Sequence, residues 1–204
     1  MATTSITVFV ASTCLDLAQY RQAVVDALEG LEMRGVRMDM LGARPGRPVD
    51  ECLKRIESVD AVIAIAGHRY GWVPTPAEGG DGDRSITWLE AAKAERCGKP
   101  IFAFIAEDNA PLVPGADEDH RSIEGLKAFK TFLEQRVRAK FVTPAELANG
   151  VIVSLVSHFG FLDQVPPAPV TTRSFVTNID TNIGNQVNVE TLNLSNDPNF
   201  WKRR

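Results

Sequence analysis

Residues 61–90 read AVIAIAGHRYGWVPTPAEGGDGDRSITWLE, and the first six of them decide the fold. Ala61-Val62-Ile63-Ala64-Ile65-Ala66 is apolar throughout and does not alternate. A strand with one wet face alternates, whereas a strand covered on both faces does not. This run therefore predicts the central strand of a parallel sheet with helices on both sides. A polar, glycine-rich stretch follows, as expected at the carboxyl end of such a strand, where open α/β sheets bind their ligands. Ser85-Ile86-Thr87-Trp88-Leu89-Glu90 then opens a helix and sets a carboxylate one turn into it, beside an aromatic ring.

Upstream, residues 5–11 (SITVFVA) form the first strand, which ends in Ser12-Thr13-Cys14. Over residues 15–31, Leu17, Tyr20, Val24, Ala27, Leu28 and Leu31 recur at helical spacing, with Asp16 at or near the cap. Ser12 and Thr13 stand where a strand-to-helix turn offers hydroxyls and N–H groups to an anion. The same residue types also serve as plain N-caps. Residues 35–40 (GVRMDM) give a second strand, and the loop after it carries Arg44 and Arg47 among turn formers. Both arginines suit a phosphate or carboxylate clamp, or a solvated loop. Residues 49–58 form a helix that buries Cys52, Leu53 and Ile56.

Downstream, the helix that holds Glu90 runs to Cys97 and stops at Gly98-Lys99-Pro100. Residues 101–106 (IFAFIA) make a fourth strand, and a polar loop covers 107–119. A helix is predicted over 121–140, with Ile123, Leu126, Phe129, Phe132, Leu133 and Val137 on one face. Phe141-Val142 reads as a short edge strand, and Thr143 with Glu146 as the capping box of a last helix ending near Phe159. Strand–helix alternation of this kind predicts a flavodoxin-like, doubly wound parallel sheet over residues 1–164.

The chain of 204 residues carries a formal net charge of -4, which argues against nucleic-acid binding through phosphate neutralisation. No stretch approaches the roughly 18 apolar residues of a membrane span, and the start lacks a charged leader, so the expectation is a cytoplasmic protein. The three cysteines, Cys14, Cys52 and Cys97, form no CxxC or Cys/His cluster and read as reduced and structural. No metal and no cofactor is expected.

Glu90 has the chemistry to stabilise positive charge on a ribose as a glycosidic bond breaks, or to attack the anomeric carbon. An acid near a helix start also complements the helix dipole, and residue type alone does not separate the two roles. Taken in order, VFVASTCLD, the helix with Tyr20 and Arg21, LGARPGRPVDECL, VDAVIAIAGHRYGW, SITWLEAAKA and GKPIFAFI resemble a TIR-like domain of unknown function. That domain is found fused to STAND NTPases and in bacterial defence proteins, and is a relative of TIR domains and nucleoside 2-deoxyribosyltransferases. In those folds the helix after the third strand carries the catalytic glutamate, and Glu90 holds the matching position. The resemblance implies cleavage of the N-glycosidic bond of NAD, as substrate, or of a related nucleotide. It puts Ser12 and Thr13 against ribose or phosphate; by their place in the loop, Arg69 suits phosphate, and Tyr70 and Trp72 suit either stacking on a base or anchoring the loop, with Trp88 next to the helix turn that carries Glu90. His68 reads as structural. The chain departs from the family pattern at Ala11, where serine is common. A non-catalytic nucleotide-sensing or adaptor module is the alternative.

From Val165 the composition changes. Val165-Pro166-Pro167-Ala168-Pro169-Val170 is a stiff linker, and residues 165–204 as a whole form a second, asparagine-rich segment. Asn182-Ile183-Gly184-Asn185-Gln186-Val187-Asn188-Val189 resembles amyloid-type signalling motifs that join defence effectors to receptors. Stacked copies of such a segment satisfy the backbone and form asparagine ladders. The expectation is self-association through residues 182–194, or pairing with a STAND-type receptor. A disordered tail and a single strand added to a neighbour's sheet are the other readings.

Overall fold

The structure, a computed structural model, describes residues 5–38, 46–112 and 120–160. Arg44, the proline linker and residues 182–194 lie outside the described residues. Five strands, β1 (Thr7–Ser12), β2 (Arg34–Val36), β3 (Ala61–Ala66), β4 (Ile101–Ala106) and β5 (Arg138–Phe141), form one sheet in the order β2-β1-β3-β4-β5. Every neighbouring pair is parallel. The connections run through α1 (Ala18–Gly30), α2 (Pro48–Glu57), α3 (Ile86–Arg96) and α4 (His120–Glu134), and α5 (Pro144–Phe159) follows β5. This is the flavodoxin-like, doubly wound α/β arrangement that the uninterrupted apolar runs predict.

All six residues of β3 are buried, and their side chains alternate between two cores. Ile63 and Ile65 join Val8 and Val10 of β1 under α1 and α5, with Leu17, Val24, Leu28, Leu147, Val151 and Leu155. On the other face Phe9, Ala11 and Val62 meet Cys52 and Ile56 of α2 and Ala94 of α3. Further along that face Ala64, Ala66 and Ala103 meet Ala91 of α3 with Phe129 and Leu133 of α4. The small side chains in this second layer let α3 lie close on the sheet.

Two elements differ from the sequence expectation. The helix predicted over 121–140 ends at Glu134, and residues 138–141 become β5, with Val137 fully exposed (100%) instead of buried. Val137-Arg138-Ala139-Lys140-Phe141 alternates, and pairing it along β4 satisfies a backbone edge that a longer helix would leave open. Arg136 closes the turn: its Nη1 donates to the Phe132 carbonyl at 2.6 Å, its guanidinium lies 4.2 Å from the Phe132 ring centroid, and its Nη2 pairs with Glu95. The second strand is also shorter than expected, three residues from Arg34 to Val36.

Of the expected caps, Asp16 does not cap α1, and at α5 Thr143 caps while the Glu146 carboxylate accepts from the Val142 N–H at 2.8 Å instead of the Thr143 N–H. Ser85 precedes α3 and its Oγ accepts from the Trp88 N–H at 3.4 Å, while Thr143 accepts from the Glu146 N–H at 3.2 Å at the start of α5.

Gly125 of α4 shows how tightly the loop after β3 is seated. A Cβ there would lie 2.4 Å from Cε1 and 2.6 Å from Cζ of Tyr70, a buried ring. Gly125→Ala gains about 1 kcal/mol of helix propensity but meets an overpacking cost of about 1–3 kcal/mol. The expected outcome is a net loss of roughly 1 kcal/mol, read as a lower urea midpoint at unchanged slope. A stabilised variant would show that the ring moves aside.

Candidate functional site

Leaving β1 the chain crosses through α1 to β2 on one side, and leaving β3 it crosses through α3 to β4 on the other. Between the carboxyl ends of these two strands, at the switch point, lies a cavity of about 550 Å³. Its walls come from Ser12, Thr13, Cys14 and Leu15 after β1, Arg21 of α1, and Met38 after β2. Arg69, Gly71 and Trp72 after β3, Ile86 and Thr87 of α3, and Ser122 of α4 complete it. Of the residues expected to contact a ligand, the fold brings Ser12, Thr13, Arg69 and Trp72 together here.

The β1–α1 turn is fastened from both sides. Arg21 is buried, and its Nη1 donates to the Ser12 carbonyl at 2.9 Å, to Ser12 Oγ at 2.8 Å and to the Thr13 carbonyl at 3.4 Å. Thr13 Oγ1 donates to Asp16 Oδ1 at 2.5 Å, and the other Asp16 oxygen accepts from the His68 N–H at 3.3 Å. Neither Ser12 nor Thr13 caps α1; the N-cap position falls on Leu17, which makes no side-chain cap bond. Asp16 instead ties the β1 turn to the β3 turn. The His68 ring is engaged with the Glu107 carbonyl at 3.0 Å, a structural placement.

The loop after β3 is a bonded structure. Gly71 adopts φ +83°, and a Cβ there would come within 2.8 Å of Thr13 Cγ2, so the backbone bends sharply against the β1 turn. The Tyr70 hydroxyl donates to the Asp83 carbonyl at 3.2 Å, the Gly82 N–H to the Pro74 carbonyl at 3.0 Å, and the Ile86 N–H to the Trp72 carbonyl at 2.9 Å. Thr75 and Glu78 form a capping box around the short turn Pro76–Glu78. Arg47 pairs with Asp50 at 2.6 Å and donates to the Pro76 carbonyl at 3.3 Å, so it links α2 to this turn.

Two expected ligand residues stand elsewhere. Tyr70 is 2% exposed and packs in the α4 core, which leaves Trp72, 39% exposed, as the aromatic surface on the cavity. Trp88 faces α4, with its ring centroid 5.9 Å from that of Phe129 and 6.0 Å from that of Phe132. A helix turns about 100° per residue, so Trp88 and Glu90 sit on nearly opposite faces of α3.

Glu90 lies beneath the cavity, one helical turn beyond Thr87, and is 3% exposed. It is not among the lining residues. The Cys52 thiol of α2 donates to its Oε1 at 2.9 Å. Burial pushes the Glu90 carboxyl up to about 8, against the smaller lowering effects of the Cys52 hydrogen bond and the Arg21 charge. Burial, then the charge and hydrogen bond of Glu90, push the Cys52 thiol upward, so it stays a neutral donor. Near neutral pH the pair is a protonated carboxyl against a protonated thiol.

Sequence reasoning missed three residues. Arg21 falls four residues after Leu17, on the apolar stripe of α1, and a cation on a buried stripe is a signal in itself. Cys52 shares its buried stripe with Ile56. Thr87 stands three residues before Glu90, on the same helical face. Among the described residues no group of His, Cys, Asp and Glu is arranged to hold a metal, and no helix is long and apolar enough to cross a membrane.

The raised carboxyl makes stability depend on pH. Between the unperturbed value of 4.5 and about 8, the folded chain holds a proton at Glu90 that the unfolded chain has released. Its contribution is therefore fully present below 4.5 and is lost as pH rises through about 8. Relative to Glu90→Gln, the wild type should lose on the order of a few kcal/mol of unfolding free energy between pH 5 and 9. Urea titrations at both pH values measure this, and parallel pH slopes for the two proteins would contradict it.

None of the curated proteins matches this chain. Among solved structures it is similar to the CMP N-glycosidase BcmB of Clostridium botulinum, at 18% identity and a TM-score of 0.43, over 73% of this chain and 99% of that one. The model of the family described as domain of unknown function (DUF4062) matches residues 7–156, from the first residue of β1 into α5, and the chain belongs to that family.

Proposed function

We propose that this protein is a nucleotide N-glycosidase that hydrolyses the bond between a base and C1′ of ribose, with NAD as substrate and nicotinamide as leaving group. The observation that carries the reading is Glu90: a buried carboxyl with a raised pKa, one turn below a cavity at the switch point of the sheet. In the reaction the C1′–N bond breaks with its electron pair leaving on the nicotinamide, which departs neutral, while water forms the new bond to C1′ and gives up its proton to solvent. Glu90 in its ionised form stabilises the charge that develops on the ribose. Trp72 offers its half-open ring to a base, Arg69 meets phosphate, and the Ser12–Thr13 turn lies against the sugar. No cofactor is needed.

The second reading, a nucleotide-binding signalling adaptor without catalysis, has its own observation. Cys52 holds Glu90 out of the cavity wall, so the domain as it stands presents a binding site and no reacting carboxylate. Self-association through residues 182–194, a STAND-type receptor partner and a cytoplasmic role in bacterial antiviral defence complete the proposal. They rest on the sequence of the tail and on the family resemblance. Clustering would then be the step that brings the carboxyl into play.

Two experiments decide these readings. Full-length protein incubated with NAD, and in parallel with CMP, should release free base, with the rate rising toward pH 8 as Glu90 ionises. Glu90→Gln should abolish release at least a hundredfold, on the order of what a single catalytic carboxylate contributes. Nucleotide binding with no base from either protein selects the adaptor. Deleting residues 170–204 should turn an assembled protein into a monomer by light scattering, and an unchanged oligomer would remove the tail from the proposal.

A further inference from the structure

The polar side chains that line the cavity are not equivalent. Ser12 Oγ accepts from Arg21 at 2.8 Å, and Thr13 Oγ1 is spent on Asp16. Thr87 is different: it is 2% exposed, it lines the cavity, and its hydroxyl has no hydrogen-bond partner among the described residues. The Thr87 oxygen is not sealed from solvent, so a ligand entering the cavity can reach it, and a ligand hydroxyl that both donates and accepts is its natural complement. The surroundings add a second donor. The Ile86 N–H goes to the Trp72 carbonyl and the Trp88 N–H to Ser85 Oγ, so the Thr87 N–H is left as an open donor in the first turn of α3 among the described residues.

Position says which part of a ligand would meet it. Thr87 precedes Glu90 by three residues, so the two side chains share one face of α3, about one turn apart. If the carboxyl acts at C1′, the group beside it in the protein meets the group beside C1′ in the ligand, which is C2′. We propose that Thr87 is a substrate-binding residue whose hydroxyl takes the ribose 2′-hydroxyl, so that the site selects ribonucleotides over 2′-deoxyribonucleotides. This rests on the N-glycosidase reading for its choice of sugar atom.

Thr87→Val removes the hydroxyl and keeps the shape, and Thr87→Ser restores it. Calorimetric binding to the full chain is measured with two pairs of probes: CMP with 2′-deoxy-CMP, and NAD with its analogue lacking the 2′-hydroxyl of the nicotinamide ribose. The wild type should bind the ribose member roughly tenfold or more tightly, the worth of one well-placed hydrogen bond. Thr87→Val should lose that preference by weakening on the ribose member alone, with an unchanged thermal midpoint, and Thr87→Ser should recover most of it. Equal weakening on both members of a pair, or no weakening, overturns the assignment. Ribose preference without base release leaves Thr87 standing and removes the N-glycosidase, base release without ribose preference does the reverse, and no binding of any probe overturns both.

Discussion

The burial of β3 on both faces is the constraint from which the rest follows. Six consecutive apolar residues leave no polar group along the strand, so chemistry can gather only where the strand ends. There the chain must turn into loops whose N–H and carbonyl groups need partners, because the sheet no longer supplies them. Arg21, Asp16 and the Tyr70 hydroxyl meet that need from three directions, and their bonds hold the β1 and β3 turns in one arrangement. The cavity is the space left between two turns fixed in this way.

Glu90 is the exception to the apolar interior. A carboxyl on the inner face of α3 would ordinarily be costly, and the protein moderates the cost by leaving it protonated and giving it one weak donor, the Cys52 thiol. A full cation in contact would have stabilised the ionised form and lowered its pKa. Arg21 is instead engaged at the Ser12–Thr13 turn, and its charge only partly offsets burial. The carboxyl is therefore poised to titrate near neutrality rather than locked in either state.

Much of this was legible in the residues, and the parts that were not have physical reasons. An unbroken apolar run has one good interpretation, so β3, the parallel sheet and the position of Glu90 on the next helix could be read directly. The end of α4 could not: Phe129, Phe132, Leu133 and Val137 continue a helical spacing, and only the open edge of β4 reveals that residues 138–141 are needed as a strand. Tyr70 and Trp72 looked alike as loop aromatics. Gly71 in the left-handed region and the bare surface of Gly125 send one ring into the core and leave the other on the cavity. Trp88 was in principle decidable, since two residues along a helix is about 200° and excludes a shared face with Glu90.

The loop between β3 and α3 is rich in glycine, yet its hydrogen bonds run inward and its backbone closes on itself at Pro74, Thr75 and Asp81. Closing over a ligand would break these bonds without an evident replacement. Below the cavity the Cys52 thiol contact and the Lys93–Glu57 ion pair, at 2.5 Å, both join α2 to α3. Arg47, at the head of α2, in turn donates to the Pro76 carbonyl, so α2 is tied both to α3 and to the loop after β3. The state of the Glu90 carboxyl is thus set by burial and its contact with Cys52, while the loop after β3 shapes the cavity wall through Gly71 and Trp72.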